Sequence, residues 1–438
     1  MEKWYQKEDY WAIIVGLGFI GILSLAYITN NFFLFKFLNV NFTQYSGLDV
    51  LNAFKSDSSG IINIIFLYVI FAVIFSVIGR FLGYEVKHFF KGFSIIYILS
   101  IIVNILSANT LLKNLQFEAA FVALIVGLII GNFTKLPTWL HSSLRTEFYV
   151  KIGVIFMGAT LPLTVILTAG PVAILQATIV AVVTFFTIYF AATKLFNLDP
   201  RFAATLGAGG SICGVSAAIA IGSSCRAKKQ HVSVAISLVI LWAVIMIFAL
   251  PILARIIGLE AGATGAWIGT SEFADAAGFA AAAAVGHEAA IQAFTLMKVI
   301  GRDIFVGIWA LVAAILSVTI WEKTNIKEAE HISLKEIWIR FPKFVLGFIV
   351  ASIFVSIMIV VLQSKGANYN SDVIGLIKNL RGWAFTWTFL SIGLTTRVKE
   401  LSSVGWKPLI AFTIGVLVNV PLGYILSNIV FVDFWNSL

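Results

Sequence analysis

The sequence predicts an all-α, polytopic membrane protein with about eleven transmembrane helices and two further helices that are broken within the membrane. Three observations support this fold class: the composition, a series of apolar runs of span length, and an internal repeat. Of the 438 residues, 60% are hydrophobic and only 12% are charged, and the mean hydropathy is +0.98. Soluble domains are about 45–50% apolar and about 25% charged. The composition therefore excludes an ordinary soluble enzyme, a disordered chain and a nucleic-acid-binding domain.

Apolar runs follow one another along the whole chain, most of them long enough to cross the roughly 30 Å apolar core of a bilayer. We interpret them as helices because a backbone in lipid must satisfy its hydrogen bonds within the segment, and the alternating pattern of barrel strands is absent. The runs are 10–35, 61–83, 93–107, 117–131, 149–169, 172–193, 203–223, 232–254, 264–285, 297–320, 343–362, 382–396 and 408–431.

The polar stretch 321–342, rich in Lys and Glu, is predicted to be a cytoplasmic linker. It divides the chain into additional N-terminal helices (1–116), a first core part with both broken helices (117–320), the linker (321–342) and a second core part (343–438). The first apolar run is not followed by a signal-peptide cleavage site, so we expect it to be retained.

Charge and cysteine content restrict the kinds of binding and catalytic site that we expect in this chain. The net charge of +9 indicates Lys- and Arg-rich cytoplasmic loops in a membrane protein. The two cysteines and five histidines have neither the spacing of a disulfide framework nor that of a metal site, and a phosphate-binding loop is lacking. We therefore expect no metal, no cofactor and no enzymatic activity.

Two of the runs are poor candidates for continuous helices. Residues 205–216 contain four closely spaced glycines, and residues 265–275 carry two acidic side chains in an apolar, Ala-rich run. Each glycine costs about 1 kcal/mol in a helix interior. One interpretation is close helix packing through small residues; the other is a helix that breaks and returns to the same face.

The distribution of Lys and Arg favours the second interpretation. With all runs crossing, the two sides carry about 19 and about 9 of these residues. With two hairpins, the tally becomes about 21 against about 7, a clearer positive-inside pattern with the N-terminus in the cytoplasm. We therefore predict two hairpins that enter from opposite faces of the plasma (inner) membrane.

An internal repeat fits the same arrangement. Two short motifs with a shared Gly recur at an offset of 235 residues, and the same offset relates two glycines that each precede a new span. A pair of earlier helices corresponds at a somewhat different offset. Inverted repeats of this kind are typical of secondary transporters. The matched segments are 157–161 with 392–396, Gly170 with Gly405, and 124–131 with 345–352.

The hairpin tips and the charges near them form the candidate site. Helix N-termini that meet near the membrane midplane favour an anion, and intramembrane charges usually face a partner or a cavity. The candidate substrate-binding residues are Gly209, Gly210, Ser211, Cys213, Gly214, Ser216, Thr270, Ser271, Lys298 and Arg302. Glu272 and Asp275 are candidates for coupling to Na⁺ or H⁺. The alternatives are hydroxyls bonded one turn back, snorkelling of Lys298, and a structural ion pair between Arg302 and Asp303.

The hairpin residues resemble a known family. The stretch Leu206–Ala218 is similar to the G-A-G-x-x-I-C-G-x-S-A signature of the YeiH family, to which sulfate export is attributed, within a wider group that includes bile-acid and arsenite transporters. The resemblance covers roughly residues 117–430. The other matching segments are Arg226–Lys228, Trp267–Ser271, Gly153–Leu161, Ile392–Thr396 and Gly405–Pro408.

The resemblance implies an inverted-repeat secondary transporter that exports a small anion of the sulfate or sulfonate class by alternating access, in a homodimer embedded in the lipid bilayer. The sequence departs from the family at Ser271–Ala277, which lacks the His and Gln of S-x-H-D-T-A-Q, and at Lys298–Arg302, which is one residue longer than K-L-T-R. Two alternatives remain open: a Na⁺- or H⁺-coupled symporter or antiporter of another small solute, and a membrane protein that does not transport.

Overall fold

The structure is a computed structural model, and it is almost entirely helical. It describes residues 4–47, 49–54, 60–114, 119–161, 163–303, 309, 312, 342–363, 368–396 and 405–438. Within these ranges the only β pairing is one isolated bridge, between Tyr45 and Asn109. The linker predicted at 321–342 and most of the run at 297–320 lie outside the described residues.

The chain divides into two compact units, 1–164 with 343–397 (unit 1) and 165–342 with 398–438 (unit 2). The helices of unit 1 are α1 Glu8–Ile28, α2 Phe33–Leu38, α3 Ile61–Phe81, α4 Val86–Ser107, α5 Thr110–Asn114, α6 Ala119–Phe133, α7 Thr146–Thr160, α15 Phe344–Gln363 and α16 Gly375–Thr395.

Unit 2 contains nearly all of α8 Leu163–Phe190, followed by α9 Pro200–Ser211, α10 Val215–Ser224, α11 Lys229–Ile257, α12 Ala261–Ser271, α13 Asp275–Ala284, α14 Glu288–Thr295, α17 Trp406–Ile425 and α18 Val432–Asn436. Three of these helices continue into a π turn, at Ala191–Leu195, Leu296–Arg302 and Leu426–Val430.

Seven helices in the described part of the chain are long and apolar enough to cross a membrane. They are Glu8–Ile28, Ile61–Phe81, Val86–Ser107, Leu163–Leu195, Lys229–Ile257, Phe344–Leu362 and Trp406–Val430. The prediction of a polytopic helical membrane protein is therefore confirmed, and the count of eleven spans stays a prediction.

One helix boundary differs from the expected position. The runs 149–169 and 172–193 suggest a boundary near Pro171, but α7 ends at Thr160 and α8 continues through Pro171. The polar backbone groups at the actual break are satisfied by two serines of α15. Ser352 donates to the Leu161 carbonyl at 2.7 Å, and Ser356 accepts the Leu163 N–H at 3.1 Å. These hydroxyls lie almost 200 residues away in the chain, so local sequence does not reveal the break.

Ion pairs connect the first turn of α1 to the rest of unit 1. Arg145, which precedes α7, donates through Nε to Glu8 at 2.7 Å, and a second donor, Nη2, also contacts Glu8. Lys151 contacts Asp9 at 2.7 Å, and Asp9 also accepts the Lys343 N–H at 2.9 Å. Burial alone lowers the pKa of Arg145, but the Glu8 carboxylate, together with Tyr84 and Tyr149, outweighs burial and the pKa is raised. The N-terminal helix is thus an integral part of unit 1.

We expect Glu8→Gln to lower the free energy of unfolding by about 1–2 kcal/mol, because it replaces a charge-assisted contact in a pair that is 28% and 14% exposed. Thermal unfolding in detergent measures the change. Glu85→Gln is the control, since Glu85 and its partner His88 are 75% and 46% exposed and should contribute little. Equal melting temperatures for the two variants would contradict the assigned role of Glu8.

Candidate functional site

The first glycine-rich run forms a helical hairpin, made of α9 and α10. Asp199 caps α9 by accepting the N–H groups of Arg201 and Phe202 at 2.9 and 3.1 Å. The chain then turns at residues 212–214 and returns along α9. At the base of the hairpin, the Cys225 thiol lies 3.7 Å from the Arg201 carbonyl. The run therefore begins and ends at the same end of unit 2.

The second run forms a similar hairpin from α12 and α13, with its turn at residues 272–274. Arg255, two residues before the end of α11, donates to the Ala284 carbonyl, the last of α13, at 2.8 Å. A Cβ on Gly265 in α12 would overlap the backbone of Ala290 in α14, the helix that follows α13. The two ends of this hairpin are therefore also adjacent.

The bases of the hairpins lie at opposite ends of α11. This helix has 29 residues, a length of roughly 43 Å at about 1.5 Å per residue. Four residues separate the end of the first hairpin from the start of α11. The helix ends shortly before the second hairpin begins, at Gly258, whose φ of +74° is typical of a helix C-terminus. The two hairpins consequently point toward each other.

Their turns meet. Gly214 has a φ of +68°, and a Cβ at this position would overlap the Phe273 carbonyl oxygen. The fully buried Lys298 lies at the same junction. Its Nζ donates to the Ile212 carbonyl of the first turn at 3.2 Å and contacts the Glu272 and Phe273 carbonyls of the second at 3.4 and 3.5 Å. It also pairs with Asp275 Oδ1 at 3.3 Å.

Arg302 binds the end of α12. Its Nη1 donates to the carbonyls of Gly269, Thr270 and Glu272 at 2.9, 3.0 and 3.1 Å, which are groups that a helix C-terminus leaves unsatisfied. The side chain is 3% exposed, yet Nε and Nη2 have no hydrogen-bond partner among the described residues. Arg302 therefore stabilises the second turn and keeps two buried donors available.

The remaining predicted residues divide into three groups. Gly209 and Gly210 pack closely: a Cβ on Gly209 would lie 2.8 Å from Val239, and one on Gly210 would lie 3.1 Å from Phe412. Thr270 donates to the Trp267 carbonyl at 2.9 Å, one turn back, and lies 3.5 Å from the Ser271 hydroxyl. Three positions differ in exposure: Ser211 Oγ is buried and has no partner in the described part of the chain, Cys213 is a buried free thiol, and Ser216 is exposed.

The two acidic candidates differ in their surroundings. Asp275 is 15% exposed at its side chain and is paired with Lys298. Glu272 is fully buried; its Oε1 accepts the Ala274 N–H at 3.1 Å, and its Oε2 is without a hydrogen-bond partner in the described ranges. Asp303, which directly follows Arg302 in the chain, is only 2% exposed, and the alternative of a structural ion pair between the two stays a prediction.

Unit 1 contains a buried cation that sequence analysis missed. Arg381 in α16 is 7% exposed and donates to the Thr160 hydroxyl at 3.0 Å. Thr160 borders a cavity of about 350 Å³ that Ser356, Asn370 and Lys378 also line. In the sequence Arg381 directly precedes the apolar run 382–396 and therefore looks like a residue outside the span. The helix starts earlier, at Gly375, and includes it.

Comparison with known proteins identifies the family. Residues 91–412 match the family described as "Conserved hypothetical protein 698". The chain is 33% identical to a UPF0324 membrane protein of Rhodopirellula baltica over 87% of this chain and 70% of the relative. It is 30% identical to one of Nitratidesulfovibrio vulgaris over 80% and 61%, and 27% identical to one of Nitrosomonas europaea over 92% of each. No solved structure matches. These names describe membrane proteins and state no substrate. The chain belongs to the UPF0324 family of membrane proteins.

Proposed function

We propose that the protein is a secondary transporter that exports a small anion of the sulfate or sulfonate class by alternating access. One observation carries the proposal: two helical hairpins point toward each other, and their turns meet at the buried charges of Lys298, Asp275 and Arg302. Irregular backbone at membrane depth is tolerated where it is packed in protein or lines a substrate cavity. Buried charges in such a place typically belong to a transport pathway.

Free donors at the junction favour an anion as the substrate. Helix α10 starts at the first turn without a capping side chain, so its first N–H groups and its positive dipole end are available. The Ser211 hydroxyl and the Nε and Nη2 groups of Arg302 add buried donors that lack partners among the described residues. An oxyanion would supply the acceptors that these groups need.

Contacts within unit 1 support an inverted repeat. A Cβ on Gly158 of α7 would overlap the backbone of Phe348 in α15, and one on Gly393 of α16 would lie 2.7 Å from the Gly127 backbone in α6. Gly158 and Gly393 are related by the predicted offset of 235 residues, and α6 and α15 contain the segments 124–131 and 345–352 that were predicted to correspond. The ends of α7 and α16 also match, since Ser352 donates to the Leu161 carbonyl and Asn132 donates to the Thr396 carbonyl, at 2.7 and 2.9 Å.

Contacts within unit 2 give independent support for the inverted repeat. Thr184 and Asn419, 235 residues apart, form a hydrogen bond of 2.9 Å, as equivalent residues near a two-fold axis can. The π turns Ala191–Leu195 and Leu426–Val430 are related by the same offset. The carbonyl of Val420, which matches Phe185 at that offset, accepts the Trp267 indole N–H of the second hairpin at 2.9 Å. A Cβ on Gly207 of the first hairpin would lie 3.1 Å from the Phe185 carbonyl.

The first test is ligand-dependent stabilisation of the purified protein in detergent, with sulfate, sulfite, taurine, bicarbonate, citrate and Na⁺ as probes. A ligand that binds only the folded protein raises its apparent stability by mass action. We expect one anion to raise the melting temperature, and Arg302→Ala to remove that shift. Because Arg302 also binds the end of α12, this variant alone does not separate binding from folding.

Ser211→Ala separates the two effects. Removing a buried hydroxyl without a partner should leave the ligand-free melting temperature unchanged or slightly raised, while the anion-dependent shift decreases. Thr264→Val is the matched control, because its hydroxyl is also fully buried and without a partner in the described residues but lies in the first half of α12, away from the turn. An anion-dependent shift that is the same in both variants would remove Ser211 from the site, and no shift with any anion would contradict the anion carrier.

A second candidate function is a Na⁺- or H⁺-coupled symporter or antiporter, which the buried Glu272 and Asp275 favour. A dependence of transport on Na⁺ or pH that disappears in Asp275→Asn would support it. In either case we propose a multi-pass carrier rather than an enzyme, located in the plasma (inner) membrane with a cytoplasmic N-terminus and acting as a homodimer.

A further inference from the structure

We infer that Glu272, and not Asp275, is the group that binds a proton at the junction of the hairpins, and that it is a neutral carboxylic acid in the described arrangement. The protonation itself follows from the contacts of this side chain. Its use in coupling rests on the transport function proposed above.

Burial opposes a charge on the carboxyl group of Glu272. The side chain is fully buried, and its Cγ lies against α13, 3.3 Å from where a Cβ on Gly278 would be. Oε1 accepts one N–H, from Ala274 at 3.1 Å, which the carbonyl oxygen of a protonated carboxyl group can also accept. Oε2 has no hydrogen-bond partner in the part of the chain that the structure describes.

None of the charged groups around Glu272 forms an ion pair with its carboxyl group among the described residues. Lys298 is bound by Asp275 and by three carbonyl oxygens. Arg302 binds the carbonyls that end α12 through Nη1 and interacts electrostatically with its neighbour Asp303. The only other titratable group that the structure shows at the junction is the buried Cys213 thiol.

Counting these groups leaves one negative charge in excess. Among the described residues two cations lie near three carboxyl groups: Asp275 pairs with Lys298, Asp303 directly follows Arg302 in the chain, and Glu272 has neither arrangement. Burying an ionised carboxylate without a partner costs far more than burying the neutral acid. A proton bound to Oε2 therefore balances the junction, whereas protonating Asp275 would leave Lys298 as an unpaired buried cation.

Coupling follows if the hairpins separate during transport. A turn that opens to water exposes Glu272, and the O–H bond then breaks to give a hydrated proton and a carboxylate. If the junction then opens to the opposite face of the membrane, the carboxylate takes up one proton from the water there, and the O–H bond reforms as the turns meet again. Lys298 and Asp275 keep their charges throughout, so a cycle that releases the proton at one face and takes one up at the other moves one proton across the membrane.

Infrared spectroscopy of the purified protein tests the protonation directly. We expect the carbonyl-stretch band of a protonated carboxyl group near neutral pH, far above the pKa of about 4.3 of a free glutamate. The band should be absent in Glu272→Gln, present in Asp275→Asn, and unchanged in Glu85→Gln, a control at an exposed glutamate. Gln keeps the acceptor for Ala274 without ionising, so this variant should fold with the wild-type melting temperature.

The outcomes separate this inference from the proposed function. A wild-type spectrum without the band, or a band that Asp275→Asn removes and Glu272→Gln does not, overturns the assignment of the proton to Glu272 even if anions are transported. A band that Glu272→Gln removes, in a protein that no anion stabilises, keeps the proton site and contradicts the anion carrier. In proteoliposomes, Glu272→Gln should abolish proton movement; proton flux equal to that of wild-type would overturn the coupling role.

Discussion

Gly214→Ala is expected to lower the free energy of unfolding by about 3 kcal/mol or more, so that most of the variant does not fold. Two costs add at this position. The φ of +68° is one that side chains with a Cβ rarely adopt, and the new Cβ would overlap the Phe273 carbonyl oxygen. Because that oxygen belongs to backbone at the tip of the other hairpin, it cannot move aside as a flexible side chain would. The yield of monodisperse protein and its melting temperature in detergent measure the loss.

Gly382→Ala is the control for this prediction. Gly382 is a helical glycine inside α16, and an added Cβ would meet nothing within 4 Å. Alanine in a helix interior is also favoured over glycine, so this variant should be as stable as the wild-type protein or slightly more stable. If the two variants have equal yields and melting temperatures, the turns of the hairpins do not meet as described.

Lys298→Met should destabilise the protein by about 3–5 kcal/mol, the cost of removing one partner from a buried ion pair. Methionine fills a similar volume but leaves Asp275 without its cation and leaves the Ile212 carbonyl without its donor. Asp275→Asn alone should also destabilise the protein, because it leaves the fully buried ammonium group with carbonyl oxygens only.

The double variant Lys298→Met/Asp275→Asn distinguishes a charge pair from a general packing role. Since no unpaired charge remains, it should be more stable than Lys298→Met, and the cycle of four melting curves gives the coupling between the two residues. Additive losses would show that the pair contributes no interaction of its own. A Lys298→Met variant that melts like the wild-type would contradict the buried position of this lysine.

Much of the fold was accessible to sequence analysis because the relevant physics is local. Lipid imposes long apolar runs, and the clustered glycines around Gly209 and the acidic pair in 265–275 mark the two positions where helices break. Lys298 and Arg302 were identified as candidates because a charge within an apolar run is costly and rarely without a role.

The missed features depend on partners distant in sequence. The helix break after Thr160 is stabilised by serines of α15. Local sequence instead favours a helix boundary at Pro171. The same limit applies to the charges. The spacing of Glu272 and Asp275 suggests equivalent roles, but of the two carboxylates only that of Asp275 pairs with Lys298. The turn between α12 and α13 determines this difference. Ser216 differs from the other candidate hydroxyls in being exposed, and its part in binding stays a prediction.

The ammonium group of Lys298 is shared among more acceptors than it can satisfy. It carries three N–H donors, and four oxygen atoms lie within 3.5 Å: the carbonyls of Ile212, Glu272 and Phe273, and Asp275 Oδ1. More than one hydrogen-bonding pattern is therefore open to the ammonium group, and each leaves a different oxygen unbonded. If the hairpins moved past each other, as the proposed alternating access requires, the lysine could exchange partners one at a time, and the two tips would not have to release each other in a single step.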